Sequence, residues 1–255
     1  MVTKTIRIRQ PPVYYPRHYP APKKTARSMT SMLIWANIIF FLLVISLVPF
    51  LGEEKFEAFF RDNIALTPST FFNHPWTILT SMFMHAPGAV LMVFSAHLLV
   101  NMISLFFLGS LLERIIGRKR FLFVYFAGGI AGGLFMILLS LISNDPRIVS
   151  LTLFANPAMK AAADISAVGA SAAIFAVAGC LAVLIPRMPV LVFFLIPMKL
   201  WHGIIFLMFV LAAFPGIANS AHLGGMLVGL LFAFYLRKKY KKKVAMLNRY
   251  LGLEK

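Results

Sequence analysis

The feature that most constrains this chain is a succession of apolar runs, several of about 20 residues, separated by short polar or basic turns. A helix of that length spans the hydrocarbon core of a bilayer, where an open strand edge would leave its backbone unsatisfied. Hydrophobic residues make up 60% of the chain and charged residues 13%, which excludes a disordered chain and argues against an ordinary water-soluble domain. We therefore predict an all-α, polytopic membrane protein.

Six transmembrane helices account for these runs. They are predicted at Met32–Leu51, Leu91–Leu112, Phe121–Ile142, Ile165–Ile185, Leu200–Phe214 and Ala218–Leu236. The membrane domain then covers residues 32–236, flanked by a basic, Pro-rich tail (1–31) and a second basic tail (237–255). A long, partly embedded loop, Gly52–Val90, with amphipathic pieces at 56–60 and 76–80, is expected on the outer side.

The distribution of charge predicts the orientation. The net charge of +17 could indicate nucleic-acid binding, but 21 of the 25 lysines and arginines fall in segments that the six-span topology places on one side. Because such residues concentrate on the cytoplasmic side, we expect both termini there, in a multi-pass protein of the cell membrane. The bilayer is thus an expected partner and nucleic acid is not. The sequence indicates no particular oligomeric state.

Four polar residues are predicted to share one layer near the outer face. His97 and Asn101 lie on the second span, Ser171 on the fourth and His222 on the sixth, each histidine or serine four to six residues from the outer end. Ser171 is expected nearly two turns inside its helix. A serine nucleophile needs a base within hydrogen-bond distance, and buried membrane histidines are often functional. No carboxylate has this depth, so any catalytic group would be a Ser–His dyad.

Other interpretations of these residues remain open at this point. A serine among small residues in a membrane helix is usually a packing residue, and a membrane asparagine can simply join helices. Small residues do share a face with the serine and with the histidine: Ala167 and Ala178 with Ser171, and Gly225 and Gly229 with His222. This spacing predicts that the two helices approach closely.

Three motifs on these spans resemble the rhomboid family of intramembrane serine proteases over residues 32–236. They are Gly169-x-Ser171, His222-x-x-Gly225-x-x-x-Gly229, and His97-x-x-x-Asn101. Phe175 replaces the tyrosine with which members commonly stack the histidine, and keeps the aromatic ring. Ala172 follows the serine where glycine is frequent, and Trp76 precedes Thr77 where arginine is frequent. His85 is set aside as a site residue, because its interval to His97 is longer than usual.

The resemblance implies a reaction and roles. Ser171 would be the nucleophile and His222 the general base, with the oxyanion held by the Ser171 backbone N–H and the His97 and Asn101 side chains. Gly169, Gly225, Gly229 and Phe175 would pack around the site. The substrates would be transmembrane segments of membrane proteins, and neither a cofactor nor a metal is expected. A substrate would enter laterally past the fifth span, or from above under the Pro215-Gly216 loop.

Two alternatives to a protease stand beside it. The first is a catalytically silent rhomboid-like protein that binds membrane clients, whose usual mark is loss of the serine or histidine; both are present here. The second is a small transporter or channel, which would need polar residues across several spans. Polar residues gather instead in a single layer, and this disfavours transport.

Overall fold

The computed structural model describes residues 28–86, 95–151, 165–192, 195–214 and 217–253. Most of the first basic tail, the predicted start of the second span at Leu91, Asp164 and the Pro215-Gly216 loop lie outside these ranges. In chain order the helices are α1 (Met29–Ile45), α2 (Val48–Leu51), α3 (Glu53–Asn63), α4 (Thr77–Thr80), α5 (Ala96–Ser104), α6 (Ser110–Ile116), α7 (Arg118–Ile142), α8 (Pro146–Ser150), α9 (Ser171–Leu184), α10 (Leu200–Ala212), α11 (Asn219–Lys239) and α12 (Lys241–Tyr250). Five π-helical residues, Leu105–Gly109, join α5 to α6.

The described chain is a helical membrane bundle, as predicted. Within the described ranges, four helices are long and apolar enough to cross a bilayer: Met29–Leu51, Ala96–Ile116, Arg118–Ile142 and Asn219–Lys239. Two further apolar helices, α9 and α10, are shorter and occupy the positions of the predicted fourth and fifth spans. The six-helix arrangement is therefore recovered, with two spans shorter than expected.

The centre of the bundle is α9, enclosed by α7 and α11. Twelve of its fourteen residues are buried. Glycines bring the three backbones together: a Cβ on Gly128 would overlap the Ala176 side chain, and one on Gly225 or Gly229 would overlap the carbonyl of Ala172 or Ala176. Since no larger residue fits at these contacts, the small residues determine how closely α9 and α11 approach.

The predicted fourth span begins later than expected. Residues 165–170 are not helical, and α9 starts at Ser171 itself. Ala167 instead forms an antiparallel bridge with Leu66, and Gly169 adopts a φ of 125° that no helix contains. Composition could not reveal this break, because the segment is as apolar as a helix would be.

A β-hairpin lies between α9 and α10, in the stretch that the six-span prediction left between the fourth and fifth spans. Strands β1 (Pro189–Val192) and β2 (Ile196–Lys199) pair antiparallel, with Pro189 opposite Lys199. Proline disfavours a helix at both strands, and the β-branched valines favour extended backbone. Apart from the single Leu66–Ala167 bridge, the hairpin is the one departure from an all-helical fold in the described ranges.

The basic end of the chain folds back onto the bundle. Arg237, Lys238 and Lys239 continue α11, and α12 follows after Tyr240. The Asn248 side chain donates a 2.8 Å hydrogen bond to the Leu184 carbonyl, at the last residue of α9. Most of the predicted second tail is thus ordered helix that covers the end of α9.

Candidate active site

Three helices begin at the same end of the bundle, and each contributes a polar residue from its first turn. Ser171 is the first residue of α9, His97 the second of α5 and His222 the fourth of α11. The shared depth predicted for these residues therefore arises from helix N-termini, where backbone N–H groups lack partners within the helix. Such N–H groups and the helix dipole favour negative charge at this end.

Ser171 and His222 are in hydrogen-bond contact. The Ser171 Oγ lies 2.8 Å from His222 Nε2. The histidine is 6% exposed, and the rings of Phe175 and His222 stack with centroids 4.6 Å apart and planes 23° apart. The phenylalanine therefore holds the imidazole plane without needing a hydroxyl.

Asn219 defines which nitrogen of His222 carries the proton. Its side-chain amide donates to the carbonyls of Leu211 (3.2 Å) and Ile217 (3.5 Å), which turns the Asn219 Oδ1 toward His222 Nδ1, 3.3 Å away. An oxygen at this position accepts, so Nδ1 bears the hydrogen and Nε2 is free to accept from Ser171. The sequence interpretation missed Asn219, although it lies one turn before His222 on the same face.

His97 lies against the backbone just before the serine. Its Nδ1 accepts a 3.3 Å hydrogen bond from the Ala86 N–H, so Nε2 carries the hydrogen in the neutral ring. That Nε2 would be 2.9 Å from a Cβ on Gly169, and the same Cβ would be 3.6 Å from Ser171 Oγ. A donor thus faces the space beside the serine, and Gly169 leaves that space open.

Asn101 lies one turn after His97 and is buried. Its side-chain amide donates a 2.8 Å hydrogen bond to the His97 carbonyl, within the same helix. This hydrogen bond places the Asn101 side chain beside His97. The second amide hydrogen remains for an additional acceptor.

His85 joins the site, although spacing had set it aside. It is fully buried, its Nε2 lies 3.4 Å from the Ala170 N–H, and its ring centroid is 5.1 Å from that of His97. The residue before Ser171 therefore donates to a histidine twelve positions before His97. No spacing rule indicates this contact, because it depends on the path of the loop.

The turn before Ser171 is hydrogen-bonded to the loop between α3 and α5. The Gly169 N–H donates to the Ser81 carbonyl at 2.8 Å, and Leu66 and Ala167 exchange backbone hydrogen bonds of 3.0 and 2.9 Å. The turn before Ser171 is therefore fixed by hydrogen bonds to the loop on one side and continues into α9 on the other.

The chain matches a known protein family. The family model of the Rhomboid domain matches residues 73–239, which is more than half of the sequence and includes Ser171, His222 and His97. The chain is a member of the rhomboid family. This rhomboid carries the serine and histidine motifs at the neighbouring N-terminal ends of α9 and α11.

A curated relative supports the same family. This rhomboid is 31% identical over 155 residues to "Rhomboid protein 1, mitochondrial" of Saccharomyces cerevisiae. The match covers 58% of this chain and 40% of the yeast protein, so the chain spans less than half the length of that relative.

Proposed function

We propose that this rhomboid is an intramembrane serine endopeptidase that cleaves transmembrane segments with a Ser171–His222 dyad. The observation that carries the proposal is the 2.8 Å separation of Ser171 Oγ and His222 Nε2, with the other imidazole nitrogen turned to Asn219. A nucleophile, a base and a group that orients the base form the usual arrangement for acyl transfer. His222 accepts the Ser171 proton as Oγ attacks the carbonyl, and returns it to the leaving amine. Water then hydrolyses the acyl-enzyme, which releases the second product and regenerates Ser171.

The oxyanion of the tetrahedral intermediate has three candidate donors. The Ser171 N–H lies at the N-terminus of α9, His97 directs Nε2–H to the space beside Gly169, and Asn101 retains one amide hydrogen. One such donor contributes about 3 kcal/mol in soluble serine proteases. Phe175, Gly225 and Gly229 support the reaction indirectly, since they hold His222 and α11 against α9.

Substrate entry past α10 is favoured by how α10 packs. Its fully buried residues, Leu200, Gly203 and Ile204, all lie in the half remote from the dyad. The half nearest the site contains none, so that half separates from the bundle at a lower cost than the anchored end. A transmembrane substrate would approach Ser171 from this side and unwind locally to expose a carbonyl.

The proposed orientation has both termini in the cytoplasm and the site near the outer face, since the basic residues collect at the end of the bundle remote from Ser171. Single cysteines at Lys242 and Glu54 test it in intact cells. Cys180 is buried and does not interfere. An impermeant maleimide should label position 54 and not 242; the reverse pattern would contradict the orientation.

The test of activity uses the full chain in liposomes with a fluorogenic transmembrane substrate. Wild type, Ser171→Ala and His222→Ala are compared with Ser220→Ala, which removes a different buried serine hydroxyl that lacks a hydrogen-bond partner in the described ranges. Cleavage should be lost in the first two variants and retained in Ser220→Ala. Unchanged cleavage by Ser171→Ala would refute the dyad.

If no cleavage is detected, a fluorophosphonate probe distinguishes an unsuitable substrate from a catalytically silent protein. Labelling of the wild type that disappears in Ser171→Ala supports an activated serine, whatever substrate was chosen. A folded wild type that is not labelled would instead support the silent, client-binding rhomboid.

A further inference from the structure

A cluster of cations lies at the end of the bundle remote from the dyad. A cleft of about 290 Å³ opens where α7 begins and α11 ends. It is lined by Lys119, Arg120, Phe123, Phe232, Tyr235, Leu236, Lys239 and Tyr240. Lys239 follows His222 by 17 residues, which is about 26 Å along a helix. The cleft is therefore a separate feature from the active site.

The cations converge on one ring. The Arg120 guanidinium lies 5.2 Å from the centroid of Tyr240, Lys239 Nζ lies 5.7 Å from it and Lys243 Nζ 5.8 Å from it. Lys119 lines the same cleft. Like charges so close together repel one another unless an anion offsets them.

Carboxylates do not supply that anion in the described part of the chain. None of the lining residues is acidic. Glu113, the nearest acid in the sequence, accepts hydrogen bonds from the Met29 and Thr30 amides and lies 3.7 Å from Arg118. The positive charge of the cluster is therefore not offset by a described carboxylate, and it attracts an external anion.

The polar groups of the cleft are donors. Arg120 donates to the Tyr240 hydroxyl at 3.0 Å, and Lys239 donates to the Tyr235 hydroxyl at 3.0 Å. Because both tyrosine oxygens accept, their own O–H groups are available to a ligand. Lysine, arginine and two such hydroxyls together select a ligand that only accepts, such as a phosphate or phosphodiester.

The other wall of the cleft is apolar. Phe123 and Phe232, with ring centroids 5.1 Å apart, lie on the membrane side of the cations, one turn after Arg120 and nearly two turns before Lys239. Phe123 is 54% exposed. A soluble phosphate gains nothing from these rings, whereas the acyl chains of a lipid would cover them.

We propose that this cleft, formed by Lys119, Arg120, Tyr235, Lys239 and Tyr240 above Phe123 and Phe232, binds the phosphodiester headgroup of an anionic phospholipid. Clustered basic residues at the boundary of membrane helices are suited to such headgroups. The bound lipid would offset the repulsion among the cations and join the start of α7 to the end of α11. The proposal does not depend on proteolytic activity.

The test measures individually retained lipids by native mass spectrometry. The full chain is purified in mild detergent with equal amounts of phosphatidylglycerol and phosphatidylcholine of the same acyl chains. Arg120→Gln/Lys239→Gln is compared with Lys241→Gln/Lys242→Gln, which removes the same charge from neighbouring residues that do not line the cleft. The cleft pair should lower the affinity for the first phosphatidylglycerol about tenfold, and the control pair less than about threefold.

Equal losses of phosphatidylglycerol affinity in the two double variants would contradict a specific site in the cleft. They would indicate a general attraction of the anionic lipid to the basic surface. Tyr240→Phe, which keeps the ring and removes one hydroxyl, is a second variant should the double change impair folding. It should lower the affinity about threefold, and an unchanged affinity would contradict the proposal. Glycerol 3-phosphate in millimolar excess should not displace the lipid; displacement would assign the cleft to soluble phosphates instead.

Discussion

The side-chain oxygen of Asn219 lies 3.3 Å from Nδ1 of His222, on the side of the ring away from Ser171. Asn219 is itself held by two backbone carbonyls, so its orientation does not depend on the histidine. In the proposed dyad, this buried amide would orient the imidazole, which is the task of a carboxylate in many soluble serine proteases.

Replacement of Asn219 by alanine should reduce kcat with little change in KM. The imidazole would lose the partner of Nδ1 and sample orientations in which Nε2 misses Ser171, a misplacement that costs about 10- to 100-fold in rate. Steady-state cleavage in liposomes measures the two constants. Asn37→Ala, which removes another buried amide from α1, is the control and should retain kcat. Equal effects of the two changes would indicate a structural role alone.

Gly169 and Gly117 form a matched pair for testing the position of His97. Both have positive φ, 125° and 83°, so alanine strains the backbone at either site, by about 1–3 kcal/mol. A Cβ at Gly169 would lie 2.9 Å from the His97 ring, whereas one at Gly117 meets no atom within 4 Å. We expect both alanine variants to unfold at lower temperature, and only Gly169→Ala to lose activity, by about 100-fold. Comparable activity losses would exclude a special role for the His97 contact.

Gly229→Ala should separate α9 from α11. The added methyl would overlap the Ala176 carbonyl, and overpacking of this kind costs about 1–3 kcal/mol. Thermal unfolding in detergent should shift to lower temperature, and cleavage should fall because the change is transmitted to His222 along α11. Leu231→Ala removes a 69% exposed side chain from the same helix and should alter neither. A fully active Gly229→Ala protein would show that the close approach is dispensable.

Glu113→Gln should destabilise the fold without altering the dyad. The carboxylate accepts hydrogen bonds from the Ser28 and Thr30 hydroxyls and from the Met29 and Thr30 amides, and so joins α6 to the start of α1. Hydrogen bonds to a charged group contribute about 1.5–3 kcal/mol each, and glutamine retains only part of that. The unfolding temperature should fall while fluorophosphonate labelling of folded protein persists. Glu54→Gln, on the exposed side of α3, is the neutral control.

Hydropathy and small-residue spacing were sufficient to predict the helical bundle and the close contact of α9 with α11. Both follow from composition, because long apolar runs must be helical in lipid and glycine at four-residue spacing permits contact. Neither property reveals where a helix begins inside an apolar run. The non-helical segment 165–170 was therefore predicted as helix, and Ser171 was expected nearly two turns too deep.

The sequence analysis missed two residues of the candidate site, His85 and Asn219. His85 reaches Ala170 only because the chain after α4 passes beside the turn before α9. The position of Asn219, three residues before His222, could have indicated the contact. The sequence analysis considered only carboxylates as partners that orient the histidine. The β-hairpin escaped notice because its valines and leucines are equally suited to lipid and to a strand.

The fourteen residues of α9 make a helix about 21 Å long, roughly 9 Å less than the thickness of a bilayer core. A lipid-facing helix this short would force the surrounding bilayer to thin. Because neighbouring helices enclose α9, its length need not match the hydrocarbon core, and Ser171 begins the helix inside the protein rather than against lipid. In the proposed reaction, water need reach Ser171 only from the end of the bundle at which α9 begins, so that hydrolysis would not require a water path across the membrane.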